Sequence, residues 1–543
     1  MPQTTPTYYY AGGKKVLLDR RDDRVALKLR DADSSDAART RGLRGLDLPA
    51  FEPPADADIW PGGELVVTQT SGLARSAGER SAQLRSLNDR GDVEYASPVY
   101  EHTPGDQWIG TNQVVARFDD AMSEFEVRSL GDYYGLEIVE RADWLSNAFL
   151  LQLTPAATLD ALSLANELVE QAYAAWAHPN FLRKLAQRGP ALELVPALAD
   201  RYWHLKAIDA FAAWEITVGS SEIVVAIVDD GVDVDHQAFQ NQASSHFNVI
   251  TMSGNPRPPA DKIEYYAHGT ACAGLALGAP NGSVDTSGVA PGCRLMAVRL
   301  LDRVIPPSTQ QAVLTLPGPD SLNLVRALSV VQPFREGKAI HWAAANGAHV
   351  ISNSWGPPDG KAALGIPQPL DDYARLAVEY AAEKGRDGKG CVICWAAGNG
   401  NESVSWDGYA SHPEVLAVAA CTADGQRAPY SDYGPEVRIC APGGGLKDGL
   451  LTTVAADPAG HAAYRHDFNG TSAATPIVAG VAALLLSRYP DLARQEVYDI
   501  LCATADRIDP GGGQYDADGH SPYYGYGRVN ARKALEEAAR RHP

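Results

Sequence analysis

From residue 204 onward the sequence predicts an α/β fold, a parallel sheet flanked by helices, preceded by one or two small α+β domains of the split βαβ type. Three observations carry this expectation. After His204, apolar runs of five or six residues alternate with helical patterns, the mark of parallel strands covered on both faces. Before Asp200, short strand-like runs separated by helical patterns read as two comparable halves. A length of 543 residues allows several domains, each able to bury its own core.

In the first half, Val25–Leu29 and Leu65–Thr68 read as strands, Ser71–Asn88 as helical, and Tyr95–Tyr100 as a final extended run. The second half reads as a strand Val114–Phe118, a helix Ser123–Tyr134, a strand Ala148–Leu153, a helix Thr158–Gln171 and an extended Trp176–Phe181. Aromatic-Ala-x-Pro-x-aromatic occurs in both halves, at Tyr95–Tyr100 and Trp176–Phe181, so residues 1–105 are expected to repeat the α+β unit of residues 106–186. A polar segment with Pro and Gly, Gln187–Asp200, reads as a linker within residues 187–203. In the domain expected over residues 204–540, the strands are Ile223–Val228, Leu295–Leu300, His349–Ser352, Val392–Ala396 and Val415–Ala419. Helical patterns lie at Leu324–Asn346, Leu370–Glu383 and Pro490–Ala505. Ala473–Leu486 is the longest apolar stretch, but Pro476 interrupts it and it falls short of the roughly 20 residues that span a bilayer, so it reads as a core helix.

Lys and Arg number 47 against 67 Asp and Glu, a net charge of −20 that argues against nucleic-acid and anionic-membrane partners. Apolar residues at 45% and charged residues at 21% exclude wholesale disorder. Met1–Lys15 lacks a basic, apolar, small-residue succession, so the product is expected in the cytoplasm as synthesised, with a non-classical export route as the alternative. Seven cysteines imply no disulfide framework, and Cys391-Val-Ile-Cys394, with no second ligand pair, reads as packing rather than a metal site.

Chemistry in such a fold belongs at the carboxyl ends of the strands. There, Ile223–Val228 runs into Asp229-Asp230-Gly231, where an acid either caps a turn or presents a carboxylate. His268 opens Gly-Thr-Ala-Cys-Ala-Gly274, a small-residue run suited to a tightly packed helix, and serves either packing or chemistry. Asn469-Gly-Thr-Ser-Ala-Ala-Thr-Pro476 puts Ser472 at the start of an apolar helix, whose free N–H groups and positive dipole end favour an oxyanion.

Together, in the order Asp, His, Ser along an α/β chain, these motifs resemble the subtilisin-like serine proteases, the subtilases. Ala396-Ala-Gly-Asn-Gly400 is similar to the family's oxyanion segment, with Asn399 as amide donor. Ser352-Asn-Ser-Trp-Gly356 is similar to its cleft-lining strand, which makes Ser354, Trp355 and Gly356 substrate-binding candidates. The resemblance implies a subtilisin-like fold and hydrolysis of peptide or protein substrates through an acyl-enzyme, without a cofactor for the chemistry. Ser472 would attack, His268 would take and return the proton, and Asp229 would orient the imidazole. Asp230 reads as a turn or surface acid.

Asp229-Asp-Gly, Ser354-Trp-Gly-Pro, Trp406-Asp-Gly-Tyr409 and Gly525-Tyr-Gly-Arg-Val-Asn530 resemble the kexin and furin branch in detail. That branch implies an acidic S1 pocket, with Asp359 and Asp407 at the matching places and Arg or Lys at P1; the alternative is that Asp407 braces a loop. It also implies a structural calcium ion held by Asp359, Glu402 and Asp432, against the alternative of ordinary surface acids. Two departures limit the transfer: the branch's β-rich domain does not follow, and residues Asp302–Pro333 form an insertion where the family has the edge strand that pairs with substrate. Subtilases are commonly preceded by an inhibitory propeptide, so the N-terminal region is expected to act as an intramolecular inhibitor or docking module. Autocleavage is then expected between Leu182 and Arg201, with Arg183, Lys184, Arg188 and Arg201 as basic candidates. A maturation protease dedicated to one partner and a non-catalytic binding protein are the alternative functions.

Overall fold

The computed structural model describes residues 4–29, 58–60, 65–69, 84, 86–88, 93–103, 107–142, 144–187, 202–259, 268–280, 287–304, 328–359, 367–445, 448–455 and 463–542. At the N-terminus, β1 (Thr4–Ala11) and β2 (Lys14–Leu29) form a hairpin. Its turn residues Gly12 and Gly13 have φ of 56° and 71°, the left-handed values a tight two-residue turn demands. With β3 (Asp58–Trp60), β4 (Leu65–Gln69), β5 (Val93–Glu101) and β6 (Gln107–Ile109), the hairpin makes an antiparallel sheet of order β3-β4-β2-β5-β6, with β1 on β2.

A second unit follows: β7 (Gln113–Phe118), α1 (Glu124–Tyr134), β8 (Leu136–Arg141), β9 (Ala148–Leu153), α2 (Ala161–Glu170) and β10 (Ala174–Pro179). Its sheet order, β10-β7-β9-β8, is the expected split βαβ arrangement. Ser123 and Glu126 cap α1 reciprocally, and Gly135 ends it at φ 74°. Leu164, Ala165 and Leu168 of α2 pack with Val114, Ala116, Phe149 and Leu151 of the sheet. The likeness of the halves does not extend to strand order among the described residues. Tyr95–Tyr100 lies inside a sheet, in β5 between β2 and β6, whereas Trp176 belongs to the edge strand β10. Most of Ser71–Asn88 lies outside the described residues.

After β11 (Arg183–Gln187) comes the larger unit: β12 (Val224–Asp229), β13 (Phe247–Asn248), α3 (His268–Leu277), β14 (Arg294–Arg299), β15 (Asp302–Val304), β16 (Leu328–Val331), α4 (Pro333–Ala345), β17 (Val350–Asn353), β18 (Trp355–Gly356), α5 (Asp372–Lys384), β19 (Val392–Ala396), β20 (Leu416–Cys421), β21 (Val437–Pro442), β22 (Leu450–Val454), β23 (Ala463–Phe468), α6 (Thr471–Arg488), α7 (Arg494–Ala503) and α8 (Ala531–Arg541). Seven parallel strands in the order β13-β14-β12-β17-β19-β20-β21 form the central sheet. The five expected strands are its β12, β14, β17, β19 and β20. Alternate residues of these strands feed two cores, Val225 and Ile227 with α3 and α6 on one face, Ala226 and Val228 with α4 and α5 on the other. That burial on both faces is why the strands read as continuous apolar runs.

The helix expected from Leu324 begins at Pro333 instead. Proline at the first helical position needs no N–H partner and has φ already set, and the β-branched Val330-Val331 before it belongs to strand β16. The insertion therefore keeps an edge strand: β15 and β16 pair antiparallel, and β16 pairs with β11. Residues 305–327 lie outside the described set. Helix α6 is the expected core helix, buried along nearly its whole length.

Candidate active site

Asp229 is the last residue of β12 and His268 the first of α3. Glycine makes their approach feasible, since a Cβ on Gly269 would stand 2.3 Å from the Gly231 carbonyl oxygen and 2.9 Å from Asp229 Cβ. His268 Nδ1 lies 3.0 and 2.9 Å from the two Asp229 carboxylate oxygens. Burial pushes the Asp229 carboxyl above its ordinary value, against the pull of His268. Asp230, expected at a turn or the surface, is fully buried, and its Oδ1 accepts the Gly269 N–H at 2.8 Å, pinning the start of α3 to the Asp229 turn.

Ser472 is the second residue of α6, entered through Gly470 at φ 109°. Four residues on, Pro476 has no N–H to offer the Ser472 carbonyl, which instead accepts Ser354 Oγ at 3.1 Å and Cys272 Sγ at 3.6 Å. Cys272 Sγ is also 3.8 Å from His268 Nδ1, so α3 and α6 meet where histidine and serine sit. Burial raises the Cys272 pKa well above its ordinary value, in keeping with inert packing. The Ser472 hydroxyl donates to the Ser354 carbonyl at 3.1 Å, while His268 Nε2 has no hydrogen-bond partner among the described residues. The imidazole is thus oriented through Nδ1, with its other nitrogen available.

Asn399 follows Gly398, whose φ is 124°. Its Oδ1 accepts both the Thr471 N–H at 2.9 Å and the Thr471 hydroxyl at 3.0 Å, which fixes the amide plane. Its Nδ2 is buried without a partner among the described residues. A buried unpaired donor costs about 1–3 kcal/mol, so its retention beside the start of α6 marks a place where an acceptor is received.

The Ser354–Gly356 segment contributes mainly backbone. The Trp355 ring is core, its Nε1 donating to the Val228 carbonyl at 2.9 Å, whereas Trp355 and Gly356 pair with β11: Gln187 opposite Trp355 and Ala186 opposite Gly356. β11 is an antiparallel strand flanked by β16 and β18, and β18 directly follows Ser354, whose carbonyl accepts the Ser472 hydroxyl. Lys184 lies in β11, paired with Val330, and Gln187, the first residue of the expected linker, ends that strand; Arg188 and Arg201, with the linker residues between them, lie outside the described residues.

Arg183, a basic candidate, is not presented to the serine. Its buried guanidinium pairs with Asp371 at 2.7 Å and Glu336 at 3.3 Å, lies 3.4 Å from the Tyr409 hydroxyl, and faces the Trp108 ring. Burial works against its charge, but Asp371, Tyr409 and Glu336 more than offset this, so the guanidinium stays protonated. Glu336 and Asp371 lie in helical patterns where an acid is ordinary, Glu336 beside Arg335 and Asp371 beside Asp372; only Tyr409 fell within a noted motif.

Asp359, Glu402 and Asp432 converge, with one carboxylate oxygen of each within 4.8 Å of the others. Asp359 Oδ1 accepts the Asn399 N–H at 3.2 Å and Asp432 Oδ1 the Glu402 N–H at 3.0 Å. A Cβ on Gly398 would overlap Asp432 Oδ2, so the backbone packs directly against the acids. Asp407 Oδ1 accepts the Tyr409 and Ala410 N–H groups, the loop-bracing arrangement. Cys391 and Cys394 are buried free thiols, Cys391 pushed up to about 12 by burial, as packing residues should be.

A family model described as "Subtilase family" matches residues 220–527. The chain is 38% identical over 500 residues to a protein named calcium-dependent protease from Nostoc sp., covering 86% of this chain and 69% of that one. The chain belongs to the subtilase family. It is a serine peptidase acting on peptide or protein substrates. Against Furin-like protease 1 of Drosophila melanogaster this subtilase is 27% identical over 374 residues, covering 64% of the chain and 30% of the relative, which lends the kexin and furin leaning only modest support. Fervidolysin from Fervidobacterium pennivorans, a solved structure, shares the fold at a TM-score of 0.59 and 21% identity, covering 80% of this chain and 62% of fervidolysin.

Proposed function

We propose that this subtilase is an endopeptidase in which Ser472 attacks the peptide carbonyl, His268 transfers the proton and Asp229 orients the imidazole, with the N-terminal region holding the cleft closed. One observation carries the chemistry: Asp229 fixes His268 through Nδ1, while His268 Nε2 and the Nδ2 of Asn399, anchored to Thr471 at the start of α6, have no hydrogen-bond partner among the described residues. Substrate would enter as β11 does, antiparallel between β16 and β18. Rotation of Ser472 from the Ser354 carbonyl toward Nε2 readies the nucleophile. As the carbonyl becomes tetrahedral, its oxygen receives the Asn399 amide and the Ser472 N–H, donors set before the reaction starts. His268 then protonates the leaving amine, and water repeats the sequence on the acyl-enzyme.

The β11 pairing supports self-restraint. The described part of β11 ends at Gln187, opposite Trp355, and the next basic candidate in the sequence is Arg188, so Arg188–Gly189 is the processing bond to test. A basic P1 rests on the resemblance at Asp359, since Asp407 braces the loop through the Tyr409 and Ala410 N–H groups. Arg188→Leu is expected to leave the intact mass unchanged over an incubation in which the parent is cut after Arg188. Hydrolysis of a peptide library should favour Arg or Lys at P1 at least tenfold, and preference for Leu or Phe would refute the basic-P1 reading.

The Asp359, Glu402 and Asp432 carboxylates fit a calcium ion: three clustered acids repel without a cation, and all offer hard oxygen. The name of the Nostoc relative supports this reading. Bound there, the ion would steady the Asn399 loop through Asp359. Chelation is expected to lower both the melting temperature and kcat, with recovery on adding calcium but not magnesium; an unchanged melting temperature would count against the site.

A further inference from the structure

The sheet of residues 4–109 takes no part in the chemistry above, yet it grips one stretch of chain and one patch of the hydrolase. The stretch is Phe181–Arg183, which leads into β11. Phe181 is enclosed by Tyr9, Tyr100 and Trp108, with ring centroids 5.5, 5.8 and 5.5 Å away. Leu182 exchanges two backbone hydrogen bonds of 3.0 Å with Ile109 of β6. Trp108 also lies 5.1 Å from the Arg183 guanidinium carbon. The patch is the start of α5. Tyr9 Oη donates to Asp371 Oδ1 at 3.1 Å, and the Gly12 N–H in the β1–β2 turn donates to Asp372 Oδ2 at 2.9 Å. Nearby, the two ring nitrogens of His102 stand 3.0 Å from the Leu17 and Pro367 carbonyl oxygens.

Asp371 thus binds the sheet through one carboxylate oxygen and Arg183 through the other. We propose that the N-terminal sheet is a clamp whose partner surface is this patch at the start of α5, and that it holds Phe181–Arg183 so that β11 stays in the cleft. The five residues of β11 alone make a short, weakly held strand. Tied to a clamp docked on the same body, they are kept at high effective concentration. Withdrawal of Arg183 would strand two buried carboxylates, Glu336 and Asp371, so tail and clamp should leave together. The clamp rests on the reading that the N-terminal region restrains the enzyme.

Amide hydrogen exchange on the full chain carrying Ser472→Ala, which cannot cut itself, tests both ideas separately. Tyr9→Phe, which loses one hydroxyl, is expected to speed exchange of the β11 amides about tenfold, and Trp108→Leu by more, with α6 amides unaffected. Unchanged β11 exchange in both variants would overturn the clamp while leaving the restraint standing, and acceleration spread equally into α6 would overturn it too. Free exchange of the β11 amides in the parent itself would instead overturn the restraint. Tyr9→Phe keeps the test decisive should Trp108→Leu fail to fold.

Discussion

Ser472→Ala is expected to reduce peptide hydrolysis by about a millionfold in kcat, the scale seen when a subtilisin loses its nucleophile. The loss should be chemical and not structural. The Ser472 hydroxyl makes one hydrogen bond, to the Ser354 carbonyl, while the contacts that build the site run through its backbone: its carbonyl accepts Ser354 Oγ and Cys272 Sγ. Truncation to the methyl side chain removes none of those, so the melting temperature should stay within a few degrees of wild type. Self-cutting should stop as well, and the variant should persist at full-length mass. A folded Ser472→Ala preparation, free of wild-type contamination, that keeps more than about a thousandth of wild-type kcat would place the nucleophile elsewhere.

Asn399→Ala is expected to cost about 100- to 1000-fold in kcat with little change in KM, the range found when such a donor is removed from a subtilisin. Its side chain has two separable parts, the Oδ1 anchor to Thr471 and an Nδ2 donor that has no partner among the described residues. Asn399→Asp keeps an acceptor for Thr471, removes the donor and sets a negative charge against the oxyanion. Its kcat loss should therefore equal or exceed that of alanine, although its anchoring is better preserved. If the Thr471 anchor were the important function, the order would reverse, with aspartate the milder variant and both changes accompanied by a lower melting temperature.

Much of this site was legible because its parts are local. Parallel strands buried on both faces announce themselves as apolar runs, one of which ends in Asp229, and His268, Asn399 and Ser472 each lie in a short motif dense in glycine and alanine, where backbones approach closely. Gly269 against Gly231 and Gly398 against Asp432 show the geometry those small residues serve. The grip on Arg183 was not legible, because Glu336, Asp371, Tyr9 and Trp108 come from four distant segments with no spacing relation. Strand β16 was hidden because its run, Leu-Ser-Val-Val, adjoins a true helix and suits either period. Asp230 was misjudged for a related reason: a polar residue after a strand reads as a turn, and only the packing of α3 against that turn buries it. Helix α8 went unread although Ala531, Ala534, Leu535 and Ala538 fall at helical spacing, because three of the four are small alanines that mark an apolar face weakly.

Ser472, activated by His268 and Asp229, is the proposed nucleophile of this peptidase. A fluorophosphonate probe, applied to a preparation that hydrolyses a peptide and followed by peptide mapping, tests it directly. A single modified serine, Ser472, is expected, with hydrolysis lost in step with labelling and both abolished by His268→Ala. Labelling at another residue, or hydrolysis that continues after Ser472 is fully modified, would contradict it.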